Sequence, residues 1–258
     1  MRALPVLFLM MAALAPLIAP YDPSASDWMA VREAPGWLHP FGTDDLGRDI
    51  LSRVIFGARA SLAAGFISVS IAIAIGVPLG LIAGYFGGVT DIVISRCADA
   101  LLACPFLVLA IALAAFLGAS LENAMIAIGV SAMPIFIRVT RGQALNVRTE
   151  DYVSAAVSQG LSHPKILAAY ILPNVVPPII VQATLTVAIA VLAEASLAFL
   201  GLGQPPPAPS WGSMLDAARQ FLVEAPWMAI WPGLAIVVVV IGFNMLGDAL
   251  NDVLNPRT

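Results

Sequence analysis

The clearest structural signal in this chain is the stretch of residues 60–90, ASLAAGFISVSIAIAIGVPLGLIAGYFGGVT, which contains no charged side chain. The run is 31 residues long and is bounded by Arg59 and Asp91. A helix needs about 20 apolar residues to cross a hydrocarbon layer about 30 Å thick. An uncharged run of this length predicts a helix that spans a lipid bilayer.

Similar uncharged runs recur along the chain, and they are continuous rather than alternating in polarity. Continuity favours helices over the strands of a β-barrel. We therefore predict six membrane-spanning helices, at about 3–19, 62–85, 93–117, 122–140, 174–199 and 227–247. The first run has a second interpretation, a signal peptide, because Arg2 precedes an apolar core that ends in small residues. Both interpretations stay open at this point.

The composition supports a membrane protein. Of 258 residues, 60% are hydrophobic and 11% are charged, and the mean hydropathy is +0.93. A soluble domain has about 45–50% apolar and about 25% charged residues. These values exclude a soluble enzyme, a disordered chain and a disulfide-stapled secreted domain. The net charge of −4 and the lack of a basic run speak against nucleic acid as a partner.

The distribution of cations predicts the orientation. An even number of spans places both termini on one side, and four cations cluster between residues 138 and 165. Because cytoplasmic loops carry the excess of Lys and Arg, we predict that both termini are cytoplasmic.

The residues of common catalytic and metal sites are missing. The only lysine, Lys165, follows a proline, so a phosphate-binding G-x-x-x-x-G-K-[ST] loop cannot be built. His39 and His163 fall on opposite sides of the predicted membrane, which excludes a shared metal site. Cys97 and Cys104 are about 10 Å apart on one helix, too far for a disulfide. An enzyme is disfavoured.

The spans divide the chain into three regions. Residues 1–20 form the first span, 21–59 an outer segment, and 60–258 a five-helix core. In the outer segment, Thr43 is predicted to cap an interfacial helix leading into the second span. Its apolar stripe consists of Leu46, Ile50, Leu51, Val54 and Ile55.

A second outer segment, residues 201–226, begins with a stiff proline-rich run. Trp211 is predicted to anchor at the membrane interface. A short amphipathic helix follows, with its inward side chains predicted to be Met214, Leu215, Ala218 and Leu222. This segment either braces the spans as a lid or contacts the incoming substrate or its carrier.

The segment 141–174, between the fourth and fifth spans, is too polar to enter lipid. Thr149 is predicted to cap a short helix at about 149–162, which Gly160 ends by a left-handed turn. Spacing by three and four residues puts Val153, Ala156, Val157 and Gly160 on one small, mildly apolar face. Such a face suits a groove on another protein. The alternative is a linker helix on the membrane surface.

Two carboxylates lie within predicted spans, where an unpaired charge costs a few kcal/mol or more. Asp99 is one helical turn after Arg96, which we expect to neutralise it. Glu194 has no local partner, so it either pairs with another subunit or faces an aqueous pathway.

Several motifs resemble one family. The run Tyr152 to Asn174, with Ala155, Ala156, Gly160 and the sequence Ile-Leu-Pro-Asn at 171–174, is similar to the EAA loop of bacterial ABC-importer permeases. Ser154 stands where that loop usually has Glu, and Tyr170 where the nearest relatives have His. Further motifs resemble the "C"-type permeases of the dipeptide, oligopeptide and nickel branch; they lie at 15–23, 39–53, 199–203, 211–212 and 243–248.

This resemblance implies an all-α, six-span permease with the MetI-like fold of type I importers, in a bacterial or archaeal cytoplasmic membrane. It implies as partners a homologous "B"-type permease, one or two ABC ATPase subunits that bind ATP and Mg²⁺, and a periplasmic or lipid-anchored binding protein. This chain would hold no cofactor and catalyse no reaction. The cargo would be a peptide or a related small solute. The residues implied to contact the ATPase are Tyr152, Val153, Ala155, Ala156, Gly160 and Leu161.

Three other classes compete with this interpretation. A secondary transporter needs internal repeats and broken ion-binding helices, and no repeat is found. A membrane enzyme needs a catalytic constellation. A passive structural subunit leaves the polar segment 141–174 unexplained. Asp99 and Glu194 stay candidates for the pathway or for a subunit contact.

Overall fold

A computed structural model describes residues 4–254, and its regular secondary structure there is helical. An isolated backbone bridge joins Thr43 and Asp49. The elements in chain order are α1 (Leu4–Ala13), α2 (Ala15–Ile18), α3 (Ile50–Phe86), α4 (Gly88–Leu102), α5 (Phe106–Leu117), α6 (Leu121–Arg148), α7 (Asp151–Ser158), α8 (His163–Ile166), a π-helical turn (Leu167–Ile171), α9 (Leu172–Phe199), α10 (Trp211–Ala218) and α11 (Trp227–Leu254).

Within the described range, four helical stretches are long and apolar enough to cross a bilayer: α3, α6, α11 and the continuous stretch His163–Phe199. The pair α4 and α5 makes a fifth if it is counted as one bent span. The predicted first span, 3–19, is wrong as one continuous helix in its described part. It is divided into α1 and α2, because Pro16 has no backbone N–H to continue the ladder. Residue 3 lies outside the described residues.

The predicted third span, 93–117, is also interrupted. α4 and α5 meet at an angle of 88° across residues 103–105. Pro105 precedes the first residue of α5 and cannot donate to the α4 ladder, and it also disfavours a helical conformation of Cys104. The span is therefore a bent pair.

α3 contains the predicted second span and begins earlier than expected. It runs for 37 residues, about 55 Å, which exceeds the hydrocarbon thickness. The predicted interfacial helix starting at Thr43 is wrong. The N-cap of α3 is Asp49, whose carboxylate accepts from the Ser52 amide at 2.8 Å. Thr43 instead donates its hydroxyl to the Ala30 carbonyl, so segment 43–49 is held as a turn.

The centre of the bundle is the contact between α3 and α6. Gly76, Gly80 and Gly84 lie four residues apart on one side of α3. A methyl group added to any of them would meet an atom of α6 at 2.6–2.8 Å. The missing side chains let the two backbones approach closely, as small residues do between membrane helices. α3 remains helical through Pro78.

The segments 21–49 and 201–226 pack together at one end of the bundle, and we call them the cap. Arg32 pairs with Glu224 at 2.7 Å, and its guanidinium lies over the Phe221 ring at 4.8 Å from the centroid. The opposite end, where α7 lies, is called the α7 end. α3 connects the two ends.

Two predictions within the cap are wrong. Trp211 is fully buried, and its indole N–H donates to the Val54 carbonyl at 2.9 Å. It packs inside the protein because α10 folds back onto α3 and α9. Met214 and Ala218 are buried as predicted, but Leu222 lies beyond the end of α10 and is 52% exposed.

Candidate functional site

α7 is a separate eight-residue helix between α6 and α8. Its N-cap is Glu150 and not the predicted Thr149, whose hydroxyl donates to the Asn146 carbonyl and closes α6 instead. Gly160 has φ +75°, the left-handed conformation that was predicted. The amides of Gly160 and Leu161 donate back to the carbonyls of Val157 and Ala156, a Schellman closure of the helix.

The two sides of α7 differ from the predicted arrangement. Val153 and Ala156 are buried within this chain, so they hold α7 in place from inside. Leu161 is half-buried and packs against the core. The outward surface, which we call the coupling surface, consists of Tyr152, Ser154, Ala155, Val157 and Gly160.

Side-chain contacts hold the helices before and after α7 to the end of α3. The Tyr85 hydroxyl and the His163 Nδ1 atom are 2.8 Å apart, which joins α3 to α8. The Arg148 guanidinium donates to the Tyr85 carbonyl at 3.0 Å and so caps the end of α3. A cavity of about 520 Å³ opens beside the coupling surface; its walls include Phe86, Ser154 and Ser158. The helices on either side of α7 are therefore held to the end of α3, and α7 projects from them.

Asp91 and Asp99 of α4 form ion pairs with arginines of α6. Asp99 accepts from the Arg138 guanidinium at 2.7 Å, so the predicted pairing with Arg96 is wrong. One helix turn away along α6, Arg141 pairs with Asp91. Both pairs join α4 to α6.

Glu194 has a partner that its sequence neighbourhood does not reveal. The side chain is fully buried, and one carboxylate oxygen accepts from the Ser61 hydroxyl at 3.0 Å. The Ser61 oxygen in turn accepts from the Trp211 amide at 3.2 Å, while the second carboxylate oxygen of Glu194, Oε1, is buried without a hydrogen-bond partner among the described residues. Glu194 is thus enclosed by this chain and joins α9, α3 and α10.

Sequence reasoning missed Ser61 and Arg138 as the partners of the two span carboxylates. Ser61 lies 133 residues before Glu194, and no local pattern connects them. Arg138 carried a usable signal, since it is a cation in the span that follows the one containing Asp99. Between residues 4 and 254, no group of three His, Cys, Asp or Glu side chains is placed to hold a metal ion.

A bundle of apolar helices, capped at one end and bearing a short exposed helix at the other, defines a multi-span membrane protein. Residues 76–258 match the family model described as "Binding-protein-dependent transport system inner membrane component", and the chain belongs to this family. The family resemblance of the motifs is confirmed.

Curated relatives match over nearly the full chain. The dipeptide transport system permease protein DppC of Alkalihalophilus pseudofirmus is 47% identical over 97% of this chain and 82% of the relative. The Haemophilus influenzae DppC is 43% identical over 96% of this chain and 86% of the relative. The glutathione transport system permease protein GsiD of Pectobacterium atrosepticum is 42% identical over 98% of this chain and 84% of the relative.

The fold comparison agrees with the predicted fold class. An inward-facing structure of the MetNI methionine ABC transporter superposes with a TM-score of 0.64 and 20% sequence identity. The match covers 80% of this chain and 98% of the solved chain. The all-α, MetI-like fold of type I importers is confirmed.

Proposed function

We propose that this chain forms, with a homologous "B"-type permease, the pathway through which an ATP-driven importer takes up peptides or a related small solute. The dipeptide and glutathione permeases among its relatives support this cargo class. The single observation that carries the mechanism is the position of α7, whose outer surface is exposed while Val153 and Ala156 anchor it from inside.

The coupling surface is proposed to dock into a cleft of an ABC ATPase subunit. Tyr152, Ala155 and Gly160 lie on the exposed surface and are the proposed contacts. Val153, Ala156 and Leu161 support that surface from the side that faces the core. Small side chains permit close approach of a partner, and Tyr152 and Val157, at 42% and 51% exposure, supply apolar area to bury.

Motion of α7 would reach three long helices. α7 follows α6 after two residues, and the stretch from His163 to Phe199 continues without a break into α9. The contact between Tyr85 and His163 includes α3. Closure of the ATPases would therefore move these helices as bodies and switch the access of the pathway, a two-state mechanism.

The chemistry of ATP hydrolysis is assigned to the partners. One or two ATPase subunits would hold ATP and Mg²⁺, while this chain is a non-catalytic subunit of the cytoplasmic membrane with both termini inside. Residues 21–59 and 201–226 would then face outward, toward a periplasmic or lipid-anchored binding protein. Residues 60–258 would form the core that carries the coupling helix.

A bulky substitution on the coupling surface tests the proposal. In Ala155→Trp, the indole projects into the proposed ATPase cleft without disturbing the core, because Ala155 is exposed. We expect retention of ATPase subunits by the tagged chain, and ATP-dependent dipeptide uptake, to fall about tenfold, equivalent to about 1.4 kcal/mol of binding.

The matched control is Ala34→Trp, the same change at an exposed position of the cap; it should leave ATPase retention unchanged. Gly160→Val should reduce uptake because the left-handed turn strains a β-branched residue, and Gly160→Asn should restore it. Full uptake and ATPase retention by Ala155→Trp would show that α7 is not the docking element and would favour a passive structural subunit.

A further inference from the structure

The ion pair between Asp99 and Arg138 is unusually open. The Asp99 side chain is 47% exposed and the Arg138 side chain 60% exposed, although both residues lie on helices of the apolar bundle. Their charges are joined by a contact of 2.7 Å. The two charges therefore neutralise each other, but this chain does not bury them.

The neighbouring glycines locate this pair along the bundle. The backbone of Ile137, next to Arg138, lies against both Gly76 and Gly80 of α3. These glycines are six to ten residues before Phe86, where α3 ends, which corresponds to about 9–15 Å along the helix axis. The pair thus lies beside the uncharged part of α3, within the depth that apolar side chains occupy.

The two ion pairs between α4 and α6 differ in exposure, and the pair farther from the α7 end is the more exposed. Asp91 and Arg141, which lie nearer to the α7 end, are 17% and 35% exposed. Asp99 and Arg138, one turn deeper along α6, are more open. A surface that faces lipid would show the opposite order, because charges in hydrocarbon are costly and normally face protein or water.

We infer that the face bearing Arg96, Asp99 and Arg138, called the polar face, lines a water-filled part of the translocation pathway. This inference rests on the proposed transport function and assigns the location of the pathway on this chain. The occupant is water together with the solute in transit. A protein partner is not needed to neutralise the pair, because each charge already has its counter-charge at 2.7 Å.

α4 itself supplies a probe and a matched control. Ala103 is the C-cap residue of α4 and still has helical backbone angles. It follows Asp99 by four residues, so it lies on the same side as Asp99 and farther from the α7 end. The native Cys97 precedes Asp99 by two residues, about 200° around the helix, so it lies at a similar depth on the other side. Both positions are exposed.

The experiment measures thiol modification by a charged, membrane-impermeant methanethiosulfonate in inside-out vesicles that contain the assembled importer. One variant carries Cys97→Ala, Cys104→Ala and Ala103→Cys; the other carries only Cys104→Ala and keeps Cys97. The cysteine thiolate attacks the sulfenyl sulfur of the reagent, forms a mixed disulfide and releases methanesulfinate. The thiolate forms in water and is suppressed in apolar surroundings. We expect modification of Ala103→Cys to be faster by about tenfold or more.

Equal rates at the two positions, or faster modification of Cys97, would overturn the inference. So would protection of Ala103→Cys that disappears when the chain is purified away from the second permease, since the polar face would then be a subunit contact. The same assay with ATP and vanadate separates this inference from the proposed coupling. Fast modification of Ala103→Cys that does not change with nucleotide supports the water-filled face and contradicts only the coupling by α7.

Discussion

The carboxylate of Glu194 connects three helices through a short chain of hydrogen bonds. Ser61 gives its single hydroxyl proton to Glu194 and accepts from the Trp211 amide. Gly212 adds a steric constraint, because a methyl group there would meet Ala195 of α9 at 2.6 Å. The start of α10 is thereby fixed against α3 and α9.

Substitution of Glu194 tests this arrangement. In Glu194→Ala the Ser61 hydroxyl loses its acceptor and a cavity forms, so we expect a loss of about 2–5 kcal/mol and a lower midpoint of thermal unfolding in detergent. Glu194→Gln keeps an acceptor oxygen of the same shape and should lie within about 1 kcal/mol of the parent. If the two variants unfold at the same temperature, the Glu194 carboxylate does not hold α3, α9 and α10 together.

Close packing of α3 on α6 depends on glycine and not on apolar area alone. Gly80 is the tightest of the three α3 positions, where a methyl group would lie 2.6 Å from the Ile137 carbonyl oxygen and 2.7 Å from Thr140. These atoms belong to a helix backbone and a buried side chain, so they cannot yield without separating the helices.

We therefore expect Gly80→Ala to destabilise the protein by about 1–3 kcal/mol, the usual effect of overpacking. The loss should appear as a lower unfolding midpoint and as reduced membrane yield. Gly142→Ala is the matched control, because Gly142 lies in α6 with nothing within 4 Å of an added methyl group. A Gly80→Ala variant as stable as the control would mean that the α3–α6 contact leaves room for a methyl group at position 80.

At helix ends, the sequence predicts the features that depend on local backbone but not those that depend on residues distant in the sequence. Gly160 ends α7 as expected because its left-handed conformation depends only on local backbone. The predicted helix start at Thr43 is wrong because Thr43 and Asp49 are both good N-caps. The choice between them depends on the Ala30 carbonyl, which accepts a hydrogen bond from the Thr43 hydroxyl. The predicted interfacial position of Trp211 is wrong for a similar reason: its hydrogen-bond acceptor, the Val54 carbonyl, lies 157 residues away in the sequence.

At the level of the complete chain, the cap and α7 occupy opposite ends of the bundle, which makes the orientation testable. In a Cys97→Ala and Cys104→Ala background, Ser26→Cys places a thiol in the cap and Ser158→Cys one on α7; both sites are exposed. An impermeant maleimide should label Ser26→Cys in intact cells. Ser158→Cys should react only after the membranes are opened.

The reverse pattern would place α7 outside the cell, where no ATPase could reach it. Equal labelling of both sites in intact cells would mean that the two ends do not face different compartments. A parallel sample of the cysteine-free background establishes that no other group reacts.

The fold class and the family followed from long uncharged runs and from motif order, both of which are local properties of the chain. The continuity of the spans did not follow, because it depends on single prolines such as Pro16 and Pro105, which end a helix in one context while α3 continues through Pro78. The outward side of α7 was also misjudged. Small residues at helical spacing look alike whether they face a partner or, like Val153 and Ala156, the protein's own core.

The length of α3 has a mechanical consequence. Its first turn is held by the Ser52 amide, which donates to Asp49 of the cap, and its last turn carries Tyr85, which contacts His163 at the α7 end. One continuous helix of about 55 Å therefore joins the cap to the α7 end. Under the proposed orientation, a displacement at one end of α3 is transmitted to the other end along a continuous helix. We therefore expect the delivery of cargo outside and the nucleotide cycle inside to be connected through α3.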